Sequence, residues 1–201
     1  FNDEQKQEVK NHVLLNDSIQ KITTPYMHFY ELEALCAMGE QNYVLKQIKD
    51  YWGGMLNLGA TSFWEEYDPS KKGAEHYAMY GREFGKSLCH AWGASPIYLL
   101  GKYYLGVKPT SPGYTNYSIE PNLGGLKWMQ GTVPTPSGTI EIYVSTSQIK
   151  IKGAAGTGTL NFKSKTGPVC KDGTIEKKRG DEYSLRIEKD KTYTINYSDK
   201  N

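Results

Sequence analysis

The hydrophobic period of this chain changes near residue 108. Before that point apolar side chains recur at the spacing of helices, and beyond Pro109 apolar and polar residues alternate. Turn-forming clusters such as Pro136-Ser137-Gly138 separate the alternating runs. The apolar positions in those runs are Ile140, Ile142, Val144, Ile149, Ile151, Leu160, Phe162, Tyr183, Leu185, Ile187, Tyr193, Ile195 and Tyr197. The pattern predicts helices over residues 1–108 and an antiparallel β-sandwich over residues 109–201.

Three apolar segments of the first region predict helices. Thr24-Pro25 combines an N-cap residue with Pro at the first helical position, and the helix that begins there ends at Gly39. It is apolar nearly all round, so we expect a buried helix. Residues 42–56 predict an amphipathic helix. Residues 87–105 predict a third helical segment, in which Pro96 imposes a kink or a restart.

The composition excludes several classes of protein and site. The net charge is +2, from 24 basic and 22 acidic residues, and no dense basic patch predicts a nucleic-acid partner. No apolar run approaches the roughly 18 residues of a membrane span. The spacing of Cys36, Cys89 and Cys170 matches neither a zinc site nor a disulfide framework, and no P-loop or G-x-S-x-G motif is present.

A candidate reaction centre lies in residues 59–68, GATSFWEEYD. Two consecutive carboxylates, Glu65 and Glu66, stand among Phe63, Trp64 and Tyr67. Apolar neighbours desolvate a carboxylate and tune it for proton transfer, which makes one of the pair a candidate catalytic group. By themselves, however, the residues favour the plainer interpretation, a solvated pair on a loop beside buried aromatic side chains.

Other polar and aromatic residues also allow two interpretations. His90 stands in an apolar segment and fits a core residue better than a ligand. His28 is similar, although Glu31 one helical turn later offers a partner. No two histidines have the spacing of a metal site, so we expect no bound metal. Trp128 marks either a sugar-binding face or packing on the sandwich or its junction with the helices, and we favour packing.

Three longer motifs stand in the order seen near the end of the bacterial α-L-rhamnosidases of glycoside hydrolase family 78, which this chain therefore resembles. They are ITTPYMHFYELEALCAMG at residues 22–39, LGATSFWEEYD at 58–68, and the run from SLCHAWG through PGYTNYSIEPNLGGLKW to EIYV at 87–144. The resemblance covers about residues 20–145 on these motifs. Beyond them it rests on the strand pattern.

The resemblance implies a fold and an activity. Residues 1–108 would be the last helices of a six-hairpin α/α toroid, and residues 109–201 a C-terminal antiparallel β-sandwich. Members of the family cleave terminal α-L-rhamnosyl bonds with inversion and need no cofactor, so the expected partner is a rhamnose-containing glycoside, oligosaccharide or polysaccharide.

The resemblance also implies roles for individual residues. Glu65, which directly follows Trp64, matches the general base that activates water, and His90 matches a histidine that contacts the sugar. Trp64 either lies against the apolar face of the sugar or packs behind Glu65. The segment between Glu65 and His90 is longer than in the family, and the extra length falls in the loop at residues 68–85.

One element of the family's site has no counterpart in this sequence. The general acid of the family lies in an acidic motif before the segment that this chain matches. The sequence begins at Phe1 without an initiator Met, so we expect a piece of a longer protein that does not turn over substrate by itself. A partial toroid would expose apolar patches that include Tyr26, Phe29 and Trp52, or would self-associate to cover them.

Two alternatives stay open beside the rhamnosidase. One is another α/α-toroid enzyme that acts on a different deoxy-sugar or on a uronic acid. The other is a non-catalytic carbohydrate-binding or structural module in which the sandwich is the working part. The sequence carries no targeting signal, so it does not assign the protein to a periplasmic or an extracellular location. It also does not identify the aglycone of the substrate.

Overall fold

The computed structural model describes residues 1–154 and 156–198 of the chain. It divides into two compact units, Phe1–Leu99 and Leu100–Asn201. The division falls where the short α-helix Ser95–Leu99 passes into the π-helical turn Leu100–Tyr104. The first unit is helical and the second carries two β-sheets, and the predicted junction at residue 108 lies inside the first strand of the second unit.

Four α-helices make up most of the regular structure in the first unit. They are α1 (Asp3–Val9), α2 (Pro25–Ala37), α3 (Gln41–Asn57) and α4 (Ser95–Leu99). The Asn2 side chain caps α1, which continues into a π-helical turn at Lys10–Leu14. Short 3₁₀ turns occupy Gly73–Tyr77 and Ala91–Gly93. The predicted starts of α2 at Pro25 and of a new helix at the Pro96 position are confirmed.

The environment of α2 differs from the prediction of a helix buried all round. Leu32, Leu35 and Cys36 are buried, but Tyr26 and Tyr30 are exposed. Among the described residues, α2 contacts α3, α4, the Ala91–Gly93 turn and the Lys10–Leu14 turn, and these neighbours leave Tyr26, Met27 and Tyr30 exposed. The expected exposed apolar patch is therefore present at Tyr26.

Trp52, which was expected to be exposed with that patch, is instead buried on α3. Its indole N–H donates to the Gly93 carbonyl oxygen at 2.8 Å, and its ring stacks on His28 with the centroids 5.6 Å apart. A tryptophan buries a large apolar area and still needs a partner for its N–H, and both needs are met inside this unit. The prediction for Trp52 was wrong because the 91–93 turn folds over it.

In the part of the second unit that the structure describes, ten strands form two five-stranded sheets. The first sheet has the order β1-β2-β6-β9-β8 and the second the order β3-β4-β5-β10-β7. The strands are β1 (Val107–Pro109), β2 (Asn116–Ile119), β3 (Trp128–Thr135), β4 (Gly138–Ser145), β5 (Gln148–Lys152), β6 (Thr157–Lys163), β7 (Val169–Cys170), β8 (Ile175–Lys177), β9 (Glu182–Glu188) and β10 (Thr192–Asn196). Among the described strands, β2 and β6 pair in parallel and the other pairs are antiparallel.

Most of the residues predicted from the alternating pattern lie in the core of the second unit, which also contains residues outside that pattern: Leu105, Val107, Tyr117, Ile119, Val133 and Ala154. Ile140, Ile142 and Val144 of β4 are buried, while Glu141 between them is exposed. Because side chains of a strand point alternately to its two faces, each strand places one apolar row against the core. The buried cluster takes residues from both sheets, including Leu160 of β6 and Ile195 of β10.

Trp128 at the start of β3 occupies a more open position than the packing interpretation implies. Its ring stacks on that of Tyr143 in the neighbouring strand, with the centroids 6.3 Å apart, and the residue is 59% exposed. The register places Gln130, not Trp128, directly opposite Tyr143, so the two rings meet diagonally across the pair. Packing of Trp128 thus rests on one described aromatic neighbour.

Candidate active site

Two segments of the first unit pair through their backbones and bring the candidate residues together. The His90 N–H donates to the Phe63 carbonyl oxygen at 2.7 Å, and the Glu65 N–H donates to the Ser87 carbonyl oxygen at 2.9 Å. The Ser62 hydroxyl adds a bond to the Leu88 carbonyl oxygen at 2.8 Å. As a result, Glu65 and His90 lie side by side although a long loop separates them in sequence.

This pairing also corrects the prediction of a helix that contains His90. The backbone of His90 is extended, with φ −122° and ψ 116°, and helical structure begins only with the 3₁₀ turn Ala91–Gly93. The N–H groups of a helix interior form hydrogen bonds within the helix. Here the His90 N–H and the Ser87 carbonyl oxygen form hydrogen bonds with residues 63–65 instead. Tertiary pairing thus overrides the apolar helical pattern.

The Glu65 carboxylate is held by two hydrogen bonds in a nearly closed environment. Its Oε1 accepts from the Tyr80 hydroxyl at 2.5 Å, and its Oε2 accepts from the Ser87 N–H at 3.0 Å. Oε2 lies 3.8 Å from the His90 Nδ1, and the residue is only 5% exposed. The hydrogen bond from Tyr80, followed by that from Ser87, lowers the pKa of Glu65 although burial opposes the shift, so the group is ionised at neutral pH.

Tyr80 reaches Glu65 from the tip of a tight hairpin turn in the 68–85 loop. The backbones of Met79 and Arg82 exchange two hydrogen bonds of 3.0 Å across this turn. The two residues between them, Tyr80 and Gly81, have φ of +55° and +72°. Two positive φ angles define the type I′ family of turns, in which a large aromatic residue is uncommon. Tyr80 was not among the predicted site residues, and its local signal in the sequence is the Tyr80-Gly81 pair at the turn.

Glu66 has a different environment from its neighbour. Its carboxylate pairs with the Lys71 ammonium at 2.9 Å and with the Lys86 ammonium at 3.2 Å. The side chain of Lys86 is 0% exposed, so Glu66 supplies the countercharge for a buried cation. Of the two adjacent carboxylates, therefore, Glu65 stands with a phenol and an imidazole, and Glu66 is bound to two lysines.

The aromatic neighbours of Glu65 divide into packing residues and exposed residues. Trp64 is 3% exposed and packs against Tyr77, with the ring centroids 5.7 Å apart, and its contact with a sugar stays a prediction. Trp92, which the sequence analysis did not single out, is partly exposed and lies 4.1 Å from the His90 ring between centroids. Exposed aromatic side chains at the site include Tyr80, which bonds Glu65, and Trp92, which contacts His90.

His28 lies in a separate, aromatic environment of the same unit. Its ring contacts Tyr51 and Trp52, and its Nε2 stands 3.9 Å from the Glu31 carboxylate. Burial lowers the pKa of His28 to about 4, so the imidazole is neutral in this core. Burial also raises the pKa of Glu31. Among residues 1–154 and 156–198, no three His, Cys, Asp or Glu side chains are grouped as a metal site would need.

Comparison with known proteins identifies relatives of both parts of the chain. Residues 106–151 match the model of the bacterial α-L-rhamnosidase C-terminal domain. A solved family 78 rhamnosidase of Bacillus sp. GL1 is 32% identical over 70% of this chain, with a TM-score of 0.58. The chain is related to the family 78 α-L-rhamnosidases. No curated protein matches it at a significant level.

Two further rhamnosidases share the fold at lower identity. The Streptomyces avermitilis α-L-rhamnosidase, solved in complex with L-rhamnose, matches 84% of this chain at 14% identity and a TM-score of 0.67. The α-L-rhamnosidase of Dictyoglumus thermophilum matches 96% of it at 21% identity and a TM-score of 0.67. The chain spans between 14 and 22% of the length of these three enzymes. None of its described helices is long and apolar enough to cross a membrane.

Proposed function

We propose that this chain belongs to an inverting α-L-rhamnosidase and supplies its general base, Glu65. The observation that carries the proposal is a buried, ionised carboxylate beside a histidine, in a chain related to the rhamnosidases. An inverting glycosidase needs one carboxylate that removes a proton from water while a carboxylic acid protonates the leaving oxygen. The low pKa of Glu65 keeps it in the form that accepts this proton.

The proposal gives His90 and Trp92 the contacts with the sugar. The His90 ring lies next to Glu65 and is partly exposed, so its second nitrogen is available for a sugar hydroxyl. The partly exposed indole of Trp92 offers an apolar face on which the sugar ring can stack. Trp64, in this proposal, packs behind Glu65 and fixes the position of its backbone. The L-rhamnose bound by the Streptomyces enzyme is the expected ligand type.

The general acid is assigned to a residue outside this chain. Inverting enzymes hold the acid and the base roughly 6.5–9.5 Å apart so that a water fits between sugar and base. Glu66, the carboxylate adjacent in sequence, forms ion pairs with Lys71 and Lys86, and the proposal does not give it this role. The helices α2 to α4 would then belong to a larger α/α toroid that also carries the acid, as the resemblance implies.

A second candidate function, carbohydrate binding by the sandwich, is favoured by one observation. A cleft of about 630 Å³ opens among residues of both sheets in the second unit. Phe162, Tyr183 and Tyr197 line it together with Asn161 and Lys163. Aromatic rings combined with amide and charged groups suit the apolar faces and hydroxyls of a sugar.

One titration distinguishes the two functions in this chain. We expect L-rhamnose added to the ¹⁵N-labelled chain to shift the backbone amide signals of Ser87 and His90. Shifts confined to Asn161 and Tyr183 would favour the sandwich cleft as the binding site. Shifts at neither site, at sugar concentrations that saturate rhamnosidases, would contradict both functions.

Activity tests the base directly in the full-length protein that contains this chain. We expect Glu65→Gln to lower kcat for an aryl α-L-rhamnoside by about 10²–10⁴-fold, because the amide cannot accept the proton of water. The control is Glu83→Gln, the same change at an exposed position of the same loop. Equal activity of the two variants would refute the role of Glu65. Preference for another aryl glycoside in a panel would indicate a different toroid enzyme.

The 201-residue chain alone gives a further check on the missing acid. We expect no turnover of the same rhamnoside. Turnover that disappears on Glu65→Gln would show that the chain holds both catalytic groups.

A further inference from the structure

We propose that Tyr80, at the tip of the 68–85 loop, is a positioning residue that orients the Glu65 carboxylate to accept a proton from the water that attacks the sugar. The inference rests on the proposed role of Glu65 as the general base and adds a residue to it. Tyr80 is 71% exposed, so its hydroxyl makes its 2.5 Å bond to Glu65 without being fixed by burial of the ring. The turn geometry, rather than packing, brings the phenol to the carboxylate.

The bond from Tyr80 fixes one oxygen while the backbone fixes the other. Oε1 receives the phenol O–H and Oε2 receives the Ser87 N–H, so the carboxylate cannot rotate without losing one of the two bonds. Each carboxylate oxygen has two lone pairs, and each keeps one for a further donor. A water that approaches therefore meets an acceptor whose direction is set in advance, as a general base requires.

The base of the loop is anchored close to the same carboxylate. Glu66 joins the two ends of the loop, because Lys71 stands at its start and Lys86 at its end. The Lys86 N–H also donates to the Tyr77 carbonyl oxygen at 3.1 Å, and the next residue, Ser87, is the second donor to Glu65. Glu66 thereby acquires a role as the anchor of the loop that carries Tyr80.

The backbone of Tyr80 has an unfavourable conformation, so other contacts must hold the turn in place. A tyrosine with φ of +55° is held in a region of backbone conformation that L-residues with large side chains rarely adopt. Such conformations are unfavourable and persist where the surroundings determine them, often at functional sites. Here the two Met79–Arg82 backbone bonds and the phenol–carboxylate bond are the determining contacts.

The first experiment measures the pKa of Glu65 directly and needs no catalysis. The chain is labelled with δ-¹³C-glutamate, the Glu65 signal is identified by its loss in Glu65→Gln, and it is titrated in the native protein and in Tyr80→Phe. Loss of the phenol donor should move the titration midpoint to higher pH. Tyr77→Phe is the matched control, since it removes a hydroxyl from the same loop that does not bond Glu65, and its midpoint should stay unchanged. An unchanged midpoint in Tyr80→Phe would overturn the inference.

The second experiment asks whether the bond serves the reaction in the full-length protein. Tyr80→Phe should lower kcat by about ten- to a hundredfold with little change in KM, and it should move the acidic limb of the pH–rate profile to higher pH. Unchanged kcat with an unchanged acidic limb would refute the catalytic part of the inference. If Tyr80→Phe shifts the Glu65 midpoint but Glu65→Gln leaves activity intact, the pairing is real and the proposed base is wrong.

Discussion

Gly54 and Gly53 are adjacent in α3, yet replacement by alanine should stabilise the chain only at Gly53. A Cβ built on Gly54 would stand 2.3–2.4 Å from the Cζ, Cε1 and hydroxyl oxygen of Tyr67, whereas a Cβ on Gly53 meets no atom within 4 Å. Both residues have ordinary helical backbone, so the helix gains about 1 kcal/mol from either alanine. The difference between the two variants therefore isolates the contact with Tyr67.

The size of that contact follows from how Tyr67 is held. Its ring lies edge-on to Tyr51, 5.5 Å away, and stacks on His76 at 6.0 Å, with both distances measured between ring centroids. Its backbone N–H donates to the Tyr51 hydroxyl at 3.0 Å. The ring cannot move away from a new methyl group without disturbing these neighbours. Overpacking of this kind costs about 1–3 kcal/mol, which cancels or exceeds the helical gain.

The assay is thermal unfolding followed by far-UV circular dichroism on the native chain and the two variants. Gly53→Ala should raise Tm, and Gly54→Ala should leave it unchanged or lower it. For a unit of this size, each kcal/mol corresponds to about 4–8 °C. Adding Tyr67→Ala should restore the stabilising effect of the alanine at 54. Equal stabilisation by Gly53→Ala and Gly54→Ala, with Tyr67 in place, would show that Tyr67 does not oppose a Cβ at position 54.

Three further predictions follow from the buried charges and thiols. Glu66→Gln leaves the buried ammonium of Lys86 without its countercharge and should destabilise the chain by about 3 kcal/mol or more in a denaturant titration. In the same assay, the double variant with Lys86→Met should recover most of this loss. His28, with a folded pKa near 4 against 6.5 unfolded, should cost about 3 kcal/mol of stability as pH falls from 6.5 to 4. The raised pKa of Glu31 acts in the opposite direction, and His28→Asn should remove the loss that is due to His28 in denaturant titrations at the two pH values. Mass spectrometry after brief alkylation should find Cys89, which is exposed, modified well before Cys36, whose pKa burial raises to about 12.

The parts of the fold that follow a simple period were predictable from the sequence. Ile140, Ile142 and Val144 alternate with polar residues because successive side chains of a strand point to opposite faces. When only one face of a strand is buried, this alternation in the sequence identifies the buried residues. The Thr24-Pro25 start of α2 was equally readable, because Pro fits the first helical position. Both signals are local, and no distant residue competes with them.

The candidate site depended on contacts that a local pattern does not contain. Residues 87–90 carry an apolar helical pattern, but their backbone groups pair with residues 63–65, and this tertiary pairing determined the conformation of His90. The contact of Tyr80 with Glu65 requires a hairpin turn in a loop that had been treated only as added length. The resemblance selected Glu65 over Glu66, and the two environments differ as that choice requires, although the role of Glu65 in catalysis stays a proposal.

The parallel pair β2–β6 has a consequence for how the second unit is made during synthesis. The stretch that carries the family match, residues 106–151, contains β1 to β4 and nearly all of β5, but it ends before β6. Asn116 to Ile119 of β2 pair with Thr157 to Leu160 of β6, which leave the ribosome about 40 residues later. Until then, the β1–β2 hairpin has an open edge and the core lacks Leu160 and Ile195. The segment that matches the family model thus ends before the strands that complete the core. A chain that stopped at residue 151 would expose the unpaired edge of β2 to other chains.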